Sequence, residues 1–119
     1  MKHKNIGESL ATAFSGLFFA LRHQKNSRYL AIIALIVTAT SPWLGLSIAE
    51  YMILALTISL VIITELINSG LEYAIDLVTD DYHELAKAAK DVAAAAVLVS
   101  CINAVFVAAL YVISRLRGN

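Results

Sequence analysis

Two uncharged apolar runs constrain this chain more than anything else in it. Residues 51 to 64 read YMILALTISLVIIT, and residues 92 to 114 again carry no charge. Backbone placed in lipid must satisfy its own N–H and C=O groups, so runs of this kind fold as helices. Between them lies ELINSGLEYAIDLVTDDYHELAKAAKD, Glu65 to Asp91, the densest cluster of acidic residues in the chain. Ionisable groups at membrane depth are costly and mark function. The chemistry is therefore expected there.

Composition points the same way. Hydrophobic residues make up 60% and charged residues 15% of the chain, and the mean hydropathy is +0.76, outside the range of ordinary soluble domains. A length of 119 residues allows a single domain, 1–119. The net charge of zero gives no electrostatic case for nucleic acid as a partner. The lone Cys101 sits in an apolar run, which excludes an internal disulfide and a paired-cysteine metal site. The amino terminus lacks a short apolar core followed by a small-residue cleavage site, so no removable signal peptide is expected. The fold class is all-α integral membrane.

Residues 5–23 carry Ile6, Leu10, Phe14, Leu17, Phe18 and Leu21 at helical spacing. This predicts an amphipathic surface helix in the membrane interface, with Lys2, Lys4, Arg22 and Lys25 near headgroups. A first span is expected over 29–48, where YLAIIALIVTATSPWLGLSI is long enough to cross a hydrocarbon core of about 30 Å. Pro42, Trp43 and Gly45 end it. Tyr29, Trp43, Tyr51 and Tyr111 read as interface anchors.

A second span, 51–76, has only 14 residues before Glu65. To finish a crossing it must carry Glu65, and with it Asn68, to membrane depth. The third, 87–115, includes Ala93, Ala94, Ala95 and Ala96, small enough for close helix approach. Asp81 with Glu84 resembles a capping box for the helix leading into it. Lys2, Lys4, Arg22, Lys25, Arg28, Lys87 and Lys90 fall on one side and only Arg115 and Arg117 on the other, which makes the amino terminus and the loop before the third span cytoplasmic.

At 100° per residue Glu65, Asn68, Glu72 and Asp76 fall within roughly 80° on a helix. Lys87, Lys90, Asp91 and Ala94 form a second narrow stripe. Helices facing each other along these stripes would gather carboxylates, an amide and ammonium groups in one cleft. Oxygen ligands favour Mg²⁺, which binds through one or two carboxylates plus substrate phosphates. Lysines then meet phosphate as point charges. The sequence contains no GxxxxGK[ST], GxGxxG or HExxH, so soluble nucleotide and zinc motifs contribute nothing.

Taken together, ExxNSxxE from Glu65, then Asp76, then YHELAKxAKDVAAAAVL resemble the prokaryotic diacylglycerol kinase family, which includes the undecaprenol kinases. The resemblance is close over residues 61 to 100 and looser elsewhere. It implies a homotrimeric bacterial inner-membrane kinase, with active sites shared between protomers, that transfers the γ-phosphoryl group of MgATP to a lipid hydroxyl. By resemblance Glu65 is the general base and Asn68 the amide beside it. Glu72 is a metal ligand that also serves the nucleotide, and Asp81, Tyr82, His83, Lys90 and Asp91 match nucleotide-site positions. The family's second metal-binding glutamate falls at Gln24, also a nucleotide-site position, where an amide oxygen is a neutral and weaker ligand. Undecaprenol is favoured over diacylglycerol by the KxAKDVAAAAVL form.

A different class of protein competes with this reading: a non-catalytic or proton-conducting small membrane oligomer in which Glu65 and Asp76 relay protons. Such a pathway has no use for Tyr82-His83 and Lys90-Asp91 at the cytoplasmic edge, whereas nucleotide binding does.

Overall fold

The computed structural model describes residues 5–118, so Lys2 and Lys4 lie outside the described residues. Within these limits the regular structure is entirely helical: α1 (Ile6–His23), α2 (Lys25–Thr40), a 3₁₀ turn (Ser41–Leu44), α3 (Ile48–Val78) and α4 (Glu84–Leu116).

The helix ends follow from local chemistry. Asn5 opens α1 by accepting from the Glu8 amide at 2.8 Å. Gln24 closes it in an extended conformation, φ −116° and ψ 116°, and α2 resumes at the very next residue, earlier than the Tyr29 expected. Arg28 covers the exposed carbonyls of this break, donating to Leu21 O at 3.2 Å and Arg22 O at 2.8 Å. At its far end α2 stops at Thr40, short of the expected Ile48. Thr40 and Ser41 hydroxyls turn back onto the Ile36 and Thr38 carbonyls, and Pro42 takes an early position in the 3₁₀ turn. Gly45, at φ 64°, then reverses the chain in the left-handed region that glycine enters without strain.

Ser47 and Glu50 form a reciprocal capping box, so α3 starts before Tyr51. The box expected at Asp81 and Glu84 does not form. Helix α4 begins at Glu84 itself, so the residue in capping position is His83, whose Nδ1 accepts from the Leu85 amide at 3.1 Å. Asp81 is two residues too early; its amide instead donates to Thr79 Oγ1 within the loop.

Helices α3 and α4 form an antiparallel hairpin whose register is held at three levels. Lys90 Nζ donates to Asp76 Oδ1 at 2.6 Å near the loop. Thr64 and Ser100 hydroxyls meet at 3.0 Å midway. Arg115 Nη2 donates to Glu50 Oε1 at 3.1 Å at the other end. The less exposed positions recur every three or four residues, as in Leu54, Thr57, Val61, Thr64 and Asn68 against Ala93, Val97, Ser100, Ala104 and Val107, which is the spacing of a left-handed coiled-coil seam. Ala93 lies on this seam, but Ala94, Ala95 and Ala96 are exposed, so only one of the four expected alanines serves the close approach.

The interior is almost without an apolar core. Among the described residues Ala20 and Val61 are the buried hydrophobics, while Ser27, Ser41, Thr57, Glu65, Asn68, Ser69 and Ser100 are buried polar groups. Large apolar side chains point outward along all four helices, including Ile6, Leu10, Phe14 and Phe18 at four-residue intervals on α1. Three segments, 25–44, 48–78 and 84–116, are long and apolar enough to cross a membrane. Small hydroxyl residues inside and apolar residues outside are what packing in lipid selects, because tails already solvate leucine and the helices gain most from close backbone contact.

The end remote from the acidic cluster is latched. Besides pairing with Glu50, Arg115 donates to Gly45 O at 2.9 Å and stacks 4.7 Å from the Tyr111 ring centre, and the Tyr111 hydroxyl donates to Leu44 O at 2.8 Å. One guanidinium thus ties α4 to the α2–α3 turn and to the first turn of α3. Arg115→Ala should lower the thermal unfolding midpoint in detergent micelles by several degrees, and adding Glu50→Gln should lower it little further. Additive losses would show that the two side chains act separately.

Candidate functional site

At the opposite end α1, α2 and α3 converge. The junction is built on α3, where Glu65, Asn68, Ser69, Glu72 and Tyr73 occupy two adjoining faces. Phe19 of α1 packs edge-on against Tyr73, ring centres 5.4 Å apart, and Gln24 Nε2 donates to the Tyr73 hydroxyl at 3.2 Å. The single non-helical residue between α1 and α2 is therefore anchored to α3.

Glu65 is 5% exposed. Its Oε1 accepts from Ser27 Oγ on α2 at 3.2 Å and from Ser69 Oγ one turn along α3 at 3.4 Å. The carboxylate is thus enclosed between helices rather than turned toward lipid. Asn68, 8% exposed, donates from Nδ2 to Glu72 Oε1 across a long 3.5 Å. Its Oδ1 is buried and has no hydrogen-bond partner. An orphaned acceptor costs about 1–3 kcal/mol, and such costs persist where a function uses the group. Glu72 itself is half-buried.

The remaining expected site residues divide. Lys90 reaches across the hairpin to Asp76, bringing an ammonium group to the carboxylate stripe. Asp91 does not join it; it pairs with Lys87 on its own helix, both side chains about 60% exposed. Asp81, Tyr82 and His83 lie exposed on the α3–α4 loop, with His83 engaged as the α4 cap. Gln24 meets Tyr73, not Glu72. Ser27, Ser69 and Tyr73 escaped the sequence reading, although Ser69 stands one turn from Glu65 and Ser27 is a lone hydroxyl at the head of an apolar run.

No group of three or more His, Cys, Asp or Glu side chains gathers for a metal among the described residues. What the junction offers is one half-buried carboxylate, Glu72, beside an unpartnered amide oxygen, Asn68 Oδ1. That donor set suits a hard cation that brings most of its oxygen ligands with it, as Mg²⁺ does on a phosphate chain. A cleft of about 590 Å³ opens between α1 and α3, bordered by Gly16, Phe19, Ser69, Gly70 and Tyr73. A Cβ added at Gly16 or Gly70 would meet nothing within 4 Å, so neither wall is closed.

The chain is accordingly a small helical protein with three helices long and apolar enough to cross a membrane and a carboxylate–amide cluster where its first three helices meet. Residues 11–112 match the prokaryotic diacylglycerol kinase family, to which the chain belongs. It is 42% identical over 104 residues to a diacylglycerol kinase of Synechocystis sp., a match covering 87% of this chain and 59% of that protein's length. It is 39% identical over 99 residues to the undecaprenol kinase of Bacillus subtilis, covering 80% of each. With the diacylglycerol kinase of Escherichia coli it shares 32% over 93 residues, 78% of this chain and 76% of that one.

The orphaned oxygen yields a stability test. Asn68→Leu keeps the branched shape and removes the unsatisfied acceptor together with the long Nδ2 contact to Glu72, so its unfolding midpoint in micelles should stay close to that of the parent. A loss more than about 1 kcal/mol beyond that of Glu72→Ala, which removes the Nδ2 contact and leaves Oδ1 in place, would show that Oδ1 has a partner in the folded protein.

Proposed function

We propose that this protein is an ATP-dependent kinase of a membrane lipid hydroxyl, with Glu65 as general base. The observation that carries the reading is the alignment on one helix of an enclosed carboxylate, an unpartnered amide oxygen, a half-buried carboxylate and, at the helix end, an aspartate facing Lys90. The names of its relatives support it.

The placement suits such a reaction. About 20 helical residues cross the hydrocarbon, so a crossing that starts at Ser47 ends near Asn68. Glu65 then lies at the lip of the bilayer, and Glu72, Asp76 and Lys90 stand in the headgroup and water layer. The outward stripe Ile6, Leu10, Phe14 and Phe18 suits α1 to lie in that interface, with Arg22, Lys25 and Arg28 toward headgroups. The excess of basic residues at this end supports a cytoplasmic orientation for it in a bacterial inner membrane. The remaining apolar faces suit a homotrimer in which neighbouring protomers complete each site.

Glu65 takes the proton of the lipid hydroxyl as the lipid oxygen bonds to the γ-phosphorus. The bond from that phosphorus to the bridging oxygen breaks, and ADP leaves. The hydroxyl enters through the α1–α3 cleft, whose wall residue Ser69 already touches Glu65. Lys90 offsets phosphate charge, and Asp81, Tyr82, His83 and Asp91 border the nucleotide from the loop and α4. Mg²⁺ on the phosphates, held by Glu72 with Asn68 or Gln24, would neutralise charge developing on the transferred group. Positioning and charge neutralisation suffice for phosphoryl transfer, which needs no covalent help from the protein.

Glu65→Gln should lower lipid phosphorylation by about 10²- to 10⁴-fold while MgATP binding survives. Retention of most turnover in bicelles would remove Glu65 from its role. Gln24→Glu should lower the Mg²⁺ concentration needed for half-maximal activity severalfold, and an unchanged requirement would show that Gln24 is not a ligand. Labelled ATP supplied with diacylglycerol and undecaprenol side by side identifies the acceptor, with undecaprenol the expected one. Phosphorylation of neither lipid overturns the kinase reading.

A further inference from the structure

We infer that Ser27 is a positioning residue that, together with Ser69, fixes which oxygen of Glu65 meets the lipid hydroxyl; the inference rests on Glu65 being the base. Both serine hydroxyls donate to the same carboxylate oxygen, Oε1, from two different helices. Ser27 and Ser69 are themselves 5% and 2% exposed, so neither has water as an alternative partner. A carboxylate gripped at one oxygen by two converging donors cannot swing about its terminal torsion without breaking both bonds. Its Oε2, which neither serine engages, is then the oxygen presented for proton transfer.

The arrangement also links the site to the α1–α2 break. Ser27 lies one helical turn beyond Gln24, which is tied to Tyr73, so the start of α2 is held to α3 at two successive turns. A substrate entering between α1 and α3 meets a carboxylate whose orientation is set from the far side by α2. Misplacement of a reacting group by a fraction of its reach is enough to cost rate without touching binding.

Isosteric replacements test this. Ser27→Thr and Ser27→Val have nearly the same shape and differ in the hydroxyl, so any effect of added volume is common to both. The Val and Ala variants should lose about tenfold in kcat, the equivalent of one net hydrogen bond, with KM for MgATP unchanged. Ser27→Thr should recover most of that loss. Ser69→Ala, which leaves α2 intact, should lower kcat in the same way. Equal kcat in the Thr and Val variants, or a loss carried by KM, would overturn the inference. Should every Ser27 variant fail to fold, an unaltered kcat in Ser69→Ala would overturn it alone. Full turnover in Ser27→Val with an inactive Glu65→Gln would refute the positioning role and spare the base; full turnover in both would refute the base itself.

Discussion

A carboxyl group cannot be buried among helices without partners, and the structure depends on how Glu65 meets that demand. An isolated buried charge is prohibitive, while one that accepts hydrogen bonds is tolerable. The partners come from two helices, Ser27 on α2 and Ser69 on α3. Satisfying the charge therefore also brings the helices together. Where a soluble protein would join these helices through leucine and valine, this one joins them through hydroxyls at an acidic group.

The same logic runs along the α3–α4 hairpin. Its seam is lined by Thr57, Thr64, Asn68 and Ser100 among small apolar residues, and its register is set by polar contacts at both ends and the middle. Each contact has a different environment and consequence. Glu50 and Arg115 fasten the turn remote from the cluster, and Thr64 with Ser100 holds the centre. Asp76 with Lys90 places a cation where the carboxylate stripe ends. The hairpin is firm at the end remote from the cluster, while at the other end α1 carries an outward apolar stripe with an open cleft behind it.

Asn68 shows the opposite economy. Among the described residues Asn68 Oδ1 is the one side-chain polar atom sealed from the surface without a hydrogen-bond partner. It stands between Glu65 and Glu72 on the stripe.

The sequence by itself determined the helical class, the three segments long and apolar enough to cross a membrane and the polar stripe of α3, because lipid allows few backbone solutions and helical periodicity reads directly from spacing. It also revealed the family, through ExxNSxxE and YHELAKxAKD. Its reading of local ends was poorer: the Asp81–Glu84 box gave way to His83, and α2 began at Lys25, because a cap depends on where the helix starts and not on which residues are present. Only the tertiary structure decided that Lys90 faces Asp76, that Gln24 is held by Tyr73, and that Ser27 reaches Glu65. These pairings join residues up to 49 positions apart on different helices. Their geometry follows from how the helices pack, and no periodicity within one segment contains it.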